Sequence, residues 1–252
     1  MQDQKFWNIR AKKYPTYKNK KSQENMNLKL KALKDFGVNF ENKTILDIGC
    51  GTGNFTFIVA KEAKNILGID VSDDMLKIFN EIKEEDNFLN ASSMEIDFRN
   101  CDIEKLGFVK NFDIVTAVKT PAISSKEDIE RMEACTKEWC VFIGFSSRME
   151  NMALDPIFKL HDIQETKHFK AENLLNVLKE KGRNYHEFYF NDMWESEETK
   201  EEFIEKALAQ LELLGIDPKK DEILKYLDTN FKGEIIKNTV KVSKCVICWK
   251  VN

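Results

Sequence analysis

Ile45-Leu-Asp-Ile-Gly-Cys-Gly-Thr-Gly-Asn-Phe55 decides the reading of this chain. Residues Thr44–Ile48 form a short apolar run with a β-branched start, the length and composition of a buried strand. The run passes straight into a turn with glycines at 49, 51 and 53, and a helical pattern follows over 54–63. Glycine reaches positive φ without penalty and lets the main chain approach a ligand closely. In open α/β sheets, ligands sit outside the carboxyl ends of the strands, where this turn lies. A second strand is predicted over 65–69, and an acid, Asp70, closes it seventeen residues after Gly53.

A carboxylate at that place can accept hydrogen bonds from both ribose hydroxyls and would repel a 2′-phosphate. The expected ligand is therefore a nucleoside without one. The dinucleotide fingerprint G-x-G-x-x-G/A is not met, because Asn54 stands at its sixth place. Asp47, two residues before the first glycine, would repel pyrophosphate but could orient a cationic amino acid. S-adenosylmethionine has that character: an adenosine, an α-amino acid and a sulfonium.

Outward from this loop the patterns alternate. Helices are predicted over about 3–12 and 20–36, split by Pro15. After the second strand come a helix capped by Ser72, a third strand over 94–99, a fourth over 112–118 and a helix over 127–137. Ser124-Ser-Lys-Glu127 resembles a capping box for the last of these. A fifth strand over 139–145, helical pieces near 150–162 and 171–181, and a sixth strand over 185–190 follow. Two charged helices near 197–214 and 219–230 precede a last strand near 239–250. Glu195–Glu205 reads as a solvated helical face. Strand and helix alternating five times call for a parallel sheet covered on both faces.

The chain has 252 residues, 42% hydrophobic and 33% charged, enough for a real core. Wholesale disorder, collagen-like and disulfide-rich classes are excluded. No apolar run is long enough to span a membrane, and the first residues lack the apolar stretch of a signal peptide, so a cytoplasmic protein with reduced thiols is expected. The net charge is −4, but residues 1–32 carry nine Lys/Arg against two acids. Such an arm could meet a phosphate-rich partner; a solvated amphipathic helix is the favoured reading, because no RNA-binding aromatic motif accompanies the lysines. Cys245-Val-Ile-Cys248 has CxxC spacing, but in a buried strand those residues point to opposite faces, so two small core side chains are expected rather than a metal pair.

Here the sequence resembles a known family. Asp47-Ile-Gly-Cys-Gly-Thr-Gly53 looks like the first motif of class I S-adenosylmethionine-dependent methyltransferases. Leu67-Gly-Ile-Asp-Val-Ser-Asp-Asp-Met-Leu76 resembles the ribose-binding segment and next helix, and Phe112-Asp-Ile-Val-Thr-Ala-Val118 the fourth-strand motif. Phe6-Trp-Asn-Ile-Arg-Ala-Lys-Lys-Tyr14 is similar to the helical lid of the type 11/type 25 small-molecule branch. The resemblance covers about residues 5–145. It implies a Rossmann-like, seven-stranded, mostly parallel sheet flanked by helices, with helical cap insertions and an antiparallel last strand. The whole chain would be one domain: a lid over 1–40, a cofactor-binding core over 41–145, and cap insertions with the last two strands over 146–252.

The resemblance also implies roles. Gly49, Gly51 and Gly53 would border the methionine part, and Asp47 would hold its amino group through water. Asp70 would take the ribose, Val71 and Met75 would flank the adenine, and Asp102 with Ile103 would edge it. Val118 would lie under the sulfonium with Lys119 beyond, where Lys119 could meet an anionic acceptor. Arg10 and Tyr14 would close over the methionine carboxylate. Methyl transfer is an in-line displacement in which orientation supplies most of the acceleration, so no universal base is expected. His161, His168 and His186 are the histidine candidates for one, each more readily read as a surface or packed residue.

Val118-Lys-Thr-Pro-Ala122 replaces the Asp-Pro-Pro-Tyr type of sequence that recognises amides and exocyclic amines. The cap and N-terminal aromatics, among them Trp7, Tyr17, Phe158, Phe169, Phe188, Tyr189, Phe190 and Trp194, favour a small organic acceptor. An RNA methyltransferase and a non-catalytic S-adenosylmethionine-binding module remain alternatives. A nicotinamide-dependent oxidoreductase is disfavoured by Asn54 and Asp47.

Overall fold

A computed structural model describes residues 2–146, 150–163 and 171–251. Five strands lie parallel: β1 (Thr44–Ile48), β2 (Asn65–Asp70), β3 (Ala91–Glu95), β4 (Phe112–Val118) and β5 (Thr136–Phe145). They stand in the order β3-β2-β1-β4-β5, so the order reverses beside β1. This crevice is where an open α/β sheet takes its ligand. The long β8 (Ile235–Lys250) pairs antiparallel with β5, and β7 (Tyr185–Thr199) pairs antiparallel with β8 along its whole length. Among the described residues the seven expected strands are present, and a two-residue strand, β6 (Glu150–Asn151), adds an eighth.

The helices are α1 (Gln2–Ala11), α2 (Lys20–Asp35), α3 (Thr56–Val59), α4 (Asp73–Glu85), α5 (Lys126–Cys135), α6 (Asp155–Leu160), α7 (Ala171–Glu180), α8 (Lys200–Leu213) and α9 (Lys220–Asn230). They cover both sheet faces. One core packs Leu30 and Leu33 of α2 and Phe57 and Phe79 against Ile45, Ile114, Val141 and Val246. The other packs Ile129, Leu174 and Leu178 against Leu46, Val115 and Ile247. Cys248 belongs to the first core and Cys245 to the second, so the CxxC residues are separated by the sheet. A third core joins α6, α8 and α9 through Ile157, Phe203, Leu211 and Leu227, and reaches the sheet at Ile236 of β8. It shares no residue with the other two.

Several boundaries differ from expectation for physical reasons. The third strand ends at Glu95, because the Asp97 carboxylate accepts the Arg99 N–H at 3.1 Å and the Asn100 side chain at 2.8 Å and turns the chain. The helix expected over 54–63 is regular only over Thr56–Val59, with helical bonds continuing from Ala60 to Thr56 at 2.8 Å and Ala63 to Val59 at 3.0 Å. The capping box at α5 falls one residue later, on Ser125 and Asp128. Residues 195–199 are strand rather than helix, since β8 offers them a partner as far as Ile235. Thr199 then starts α8, bonded reciprocally with Glu202. Among the described residues no helix is long and apolar enough to cross a membrane, and no three His, Cys, Asp or Glu side chains converge as a metal site would require.

Candidate active site

Three loops meet at the carboxyl edge around β1, each set there by the end of its strand. The glycine turn follows β1. Its Gly49 and Cys50 N–H groups donate to Ile69 O at 2.7 and 3.0 Å, which draws the turn against the end of β2. The three glycines do different work. A Cβ on Gly49 would lie 2.0 Å from Thr120 Oγ1, and one on Gly53 2.3 Å from the Phe57 ring. Both positions are required by packing. At Gly51 (φ 54°) a Cβ would find nothing nearer than 3.8 Å, from Met75 Sδ and Tyr14. Gly51 therefore faces the cleft, in a conformation that favours glycine.

Asp70 sits at the end of β2. Its Oδ2 accepts the Gly51 N–H at 2.8 Å and its Oδ1 the Ser72 N–H at 2.9 Å. Burial raises its pKa, and backbone hydrogen bonds from Ser72, Gly51 and Val71 oppose the rise. A carboxylate oxygen accepts more than one bond, so both oxygens retain capacity toward the cleft. Gly49, Gly51, Asp70, Val71, Met75 and Tyr14 line one continuous cleft. The cleft also contains Trp7, Ile96, Asp97, Phe98, Arg99, Lys119, Thr120, Pro121 and Ala122. An anchored acid for a diol, apolar walls for a flat ring and a side-chain-free backbone at Gly51 fit a nucleoside bearing an amino acid.

The lid is tied down by polar bonds. Asn8 Nδ2 donates to Asp73 Oδ1 at 2.8 Å, Ser72 Oγ donates to Asn8 Oδ1 at 2.5 Å, and Gln4 reaches Glu95 at 3.2 Å. Thr52 Oγ1 donates to Pro15 O at 3.1 Å and fastens the following segment to the glycine turn. Trp7 and Tyr14 meet edge-on at 6.3 Å over the cleft. Burial, countered by Arg10 and reinforced by Asp70, raises the Tyr14 pKa. Arg10 lies over the Phe6 and Trp7 rings at 5.3 and 5.7 Å and is not itself in the cleft lining.

Other predicted positions are placed elsewhere. Asp47 is wholly buried beneath the turn, where it accepts Thr56 Oγ1 at 2.6 Å and Thr116 Oγ1 at 2.8 Å. Burial raises its pKa to about 6 against the pull of those two hydroxyls. Its carboxylate braces β1 and β4 and is separate from the cleft lining. Asp102 is an exposed residue outside the cleft, accepting the Lys105 and Glu104 N–H groups at 3.1 and 3.2 Å. Ile103 packs on the second core, Gly53 against Phe57, and Val118 on the first core. The acid in the cleft after β3 is Asp97, which sequence reasoning missed because it carried the strand through to Arg99.

Among the described residues no histidine lines the cleft. His161 Nδ1 lies 2.8 Å from Ile157 O, and its Nε2 accepts the Lys219 N–H at 2.8 Å, so it tethers α6 to α9. His186 stacks on Phe36 at 5.0 Å, pairs with Cys248 on β8 and is not in the cleft lining. His168, and with it Phe169, lies outside the described residues. Lys119, left-handed at φ 54°, is the titratable cation in the lining besides Arg99; burial, then repulsion from Lys244, lowers its pKa to about 8.

Comparison with known proteins follows the same lines. Residues 39–230 match a family described as a methyltransferase domain. A ubiquinone biosynthesis O-methyltransferase of Hydrogenovibrio crunogenus is 45% identical over 51 residues, 20% of this chain and 21% of that protein. The matches span 21% to 35% of the length of the first three curated relatives. Among solved structures, the YcgJ protein from Bacillus subtilis superposes with a TM-score of 0.58 at 13% identity, covering 89% of this chain and 98% of that one. The magnesium protoporphyrin IX methyltransferase of Synechocystis PCC 6803, solved with bound S-adenosylhomocysteine, gives 0.51 at 12% identity, covering 89% and 82%. At these identities the two structures share the fold.

Proposed function

The chain belongs to the methyltransferase-domain family of S-adenosylmethionine-dependent class I proteins, and from that premise we propose that it transfers a methyl group to a small organic acceptor. The observation that carries the reading is the Asp70 carboxylate, anchored by Gly51 and Ser72 with acceptor capacity left toward an apolar-walled cleft. In this reading Asp70 binds the ribose, Val71, Met75, Ile96 and Phe98 wall the adenine, and Asp97 receives its amino group. Gly51 lets the main chain approach the methionine part, and Trp7 and Tyr14 cover it. S-adenosylmethionine, when bound, supplies an electrophilic methyl group on a good leaving group. The protein's share of the work is then orientation and exclusion of water.

The acceptor enters between the β4 loop at Lys119–Ala122, the lid and the cap. Part of the basic arm is neutralised or buried within the protein. Lys13 pairs with Glu202 at 2.6 Å, Lys18 with Glu85 at 2.9 Å, and Lys29 is buried. This partial neutralisation, with a net charge of −4, supports a small molecule over a nucleic acid. The name of the Hydrogenovibrio relative points to the same acceptor class. A single domain, with a lid, a cofactor core and a cap, and a cytoplasmic setting accord with this reading.

Calorimetric titration with S-adenosylhomocysteine, in the wild type and in Asp70→Ala, tests the donor site. Micromolar binding lost in the variant is expected, and no binding to the folded wild type would overturn the reading. Methyl transfer to RNA but to no small-molecule pool would replace the acceptor assignment.

A further inference from the structure

Beside the cofactor cleft, on the α2 face of the sheet, three lysines converge with one carboxylate. Lys119 follows β4, Lys244 lies on β8 across β5, and Lys29 projects from α2. Lys29 is 1% exposed and Lys244 3%. Asp192 of β7 forms an ion pair with Lys244. Among the described residues no carboxylate forms an ion pair with Lys29 or Lys119. Lys29 Nζ lies over the Phe190 ring at 5.2 Å, and Lys244 Nζ over the Trp194 ring at 5.0 Å. Phe190, Asp192 and Trp194 alternate along β7, so they share one face, opposite Lys244.

Fully protonated, three ammonium groups against one carboxylate, held largely away from water, would carry two uncompensated positive charges. Buried charges normally occur paired, so without a second anion the cluster is biased toward losing a proton. Its titration behaviour agrees. Burial and then the charges of Lys119 and Lys244, against Asp192, lower the Lys29 pKa to about 7. The groups facing Lys29 are these two lysines, from the β4 loop and β8, and Asp192 from β7. Packing alone would be served better by an apolar residue at position 29, since α2 buries Met26, Leu30 and Leu33 on the same face.

We propose that Lys29, Lys119 and Lys244 form the acceptor's anion-binding subsite, and that the acceptor is a small aromatic acid bearing a carboxylate or phosphate, with its ring against Phe190 and Trp194. The proposal rests on the methyltransferase reading, because Lys119 lines both the cofactor cleft and this cluster. A cationic cluster flanked by the Phe190 and Trp194 rings, which meets the donor cleft at Lys119, would select flat anions over neutral or cationic compounds of the same shape. An arriving anion also restores the protonated state of Lys29, so binding near pH 8 takes up protons.

The test uses the full chain with saturating S-adenosylhomocysteine and four probes of similar shape: benzoate, phenyl phosphate, benzyl alcohol and benzylamine. Calorimetry is run at pH 8 in two buffers of different ionisation enthalpy. Benzoate or phenyl phosphate should bind at least tenfold tighter than benzyl alcohol, with proton uptake, and benzylamine should not bind. The stronger of the two anions identifies the group. Lys29→Met removes a buried charge while keeping the side-chain volume, so it should fold at least as well and bind the anion at least tenfold more weakly; Lys119→Met should do likewise. Equal binding of benzyl alcohol, or anion binding unchanged in both variants, would overturn the proposal. S-adenosylhomocysteine titrated alone separates the two ideas. If it binds and the anions do not, only the subsite fails; if it fails to bind the wild type, the cofactor reading fails.

Discussion

Asp70 Oδ2 accepts the Gly51 N–H at 2.8 Å, so the acid closing the second strand holds the turn that follows the first. The same carboxylate fixes the start of α4 through Ser72. One side chain thus sets the geometry of the two loops that would grip opposite ends of a nucleoside. Charge-assisted hydrogen bonds contribute about 1.5–3 kcal/mol each. Asp70→Ala should weaken S-adenosylhomocysteine about 100-fold or more by calorimetry, and Asp70→Asn less, because the amide oxygen still accepts one backbone N–H.

Gly49 and Gly51 should respond differently to alanine. At Gly49 the new methyl collides with the Thr120 side chain at 2.0 Å, so Gly49→Ala should lower Tm as well as ligand affinity. Thr120→Gly in the same chain should recover part of the lost stability. At Gly51 the site has room within the protein. Gly51→Ala should cost only about 1–2 kcal/mol for the left-handed backbone yet abolish S-adenosylhomocysteine binding. Thermal melts and calorimetry on the three variants check this.

The two acids after β3 are separable. Asp97→Ala should weaken S-adenosylhomocysteine roughly tenfold, the worth of about one hydrogen bond to the ligand. Asp102→Ala, at an exposed turn outside the cleft, should leave the affinity unchanged. The reverse result would return the adenine edge to Asp102.

Asp47 should behave as a structural acid. Asp47→Ala strips the acceptor from the buried Thr56 and Thr116 hydroxyls and should cost about 2–4 kcal/mol, measured by urea unfolding. Its pKa is about 6 when folded against 3.8 ordinarily, so between pH 4 and 6 the folded state binds more protons than the unfolded. Its contribution to stability therefore falls as pH rises through that window, by roughly 3 kcal/mol. Asp47→Asn should remove this slope.

Lys29 slopes the other way. Its pKa is lowered to about 7 from 10.5, so between pH 7 and 10.5 the unfolded chain binds the extra proton and the folded state gains stability as pH rises. The cost is fully present below about pH 7 and amounts to roughly 5 kcal/mol. Lys29→Met should raise Tm at pH 6.5 and flatten the alkaline rise, as followed by thermal melts from pH 6 to 10.

The strands, the glycine turn and Asp70 are legible in the sequence because their causes are local: a buried run, a turn that needs positive φ, an acid at a strand end. Ser72 as the cap of α4 is legible for the same reason. What escapes reading is decided by distant partners. The reach of β7 to Thr199 depends on a distant strand, β8, supplying backbone partners as far as Ile235. Asp97 and Asp102 look alike until the end of β3 is known. Lys29 reads as one more cation on a polar helix, since only the packing of α2 onto β8 turns it inward. Asp47 sits within the motif but beneath the turn, a depth that spacing does not encode.

The third core, built on the far ends of β7 and β8, has a consequence for how this molecule can change over generations. Its side chains touch neither of the cores that hold the glycine turn. Substitutions at Phe203, Leu211 or Leu227 can therefore repack the far end of the β7–β8 pair while the cores around the glycine turn stay intact. Change at one end of the long hairpin is decoupled from change at the other. A lineage can rebuild that end without passing through forms that have lost the turn.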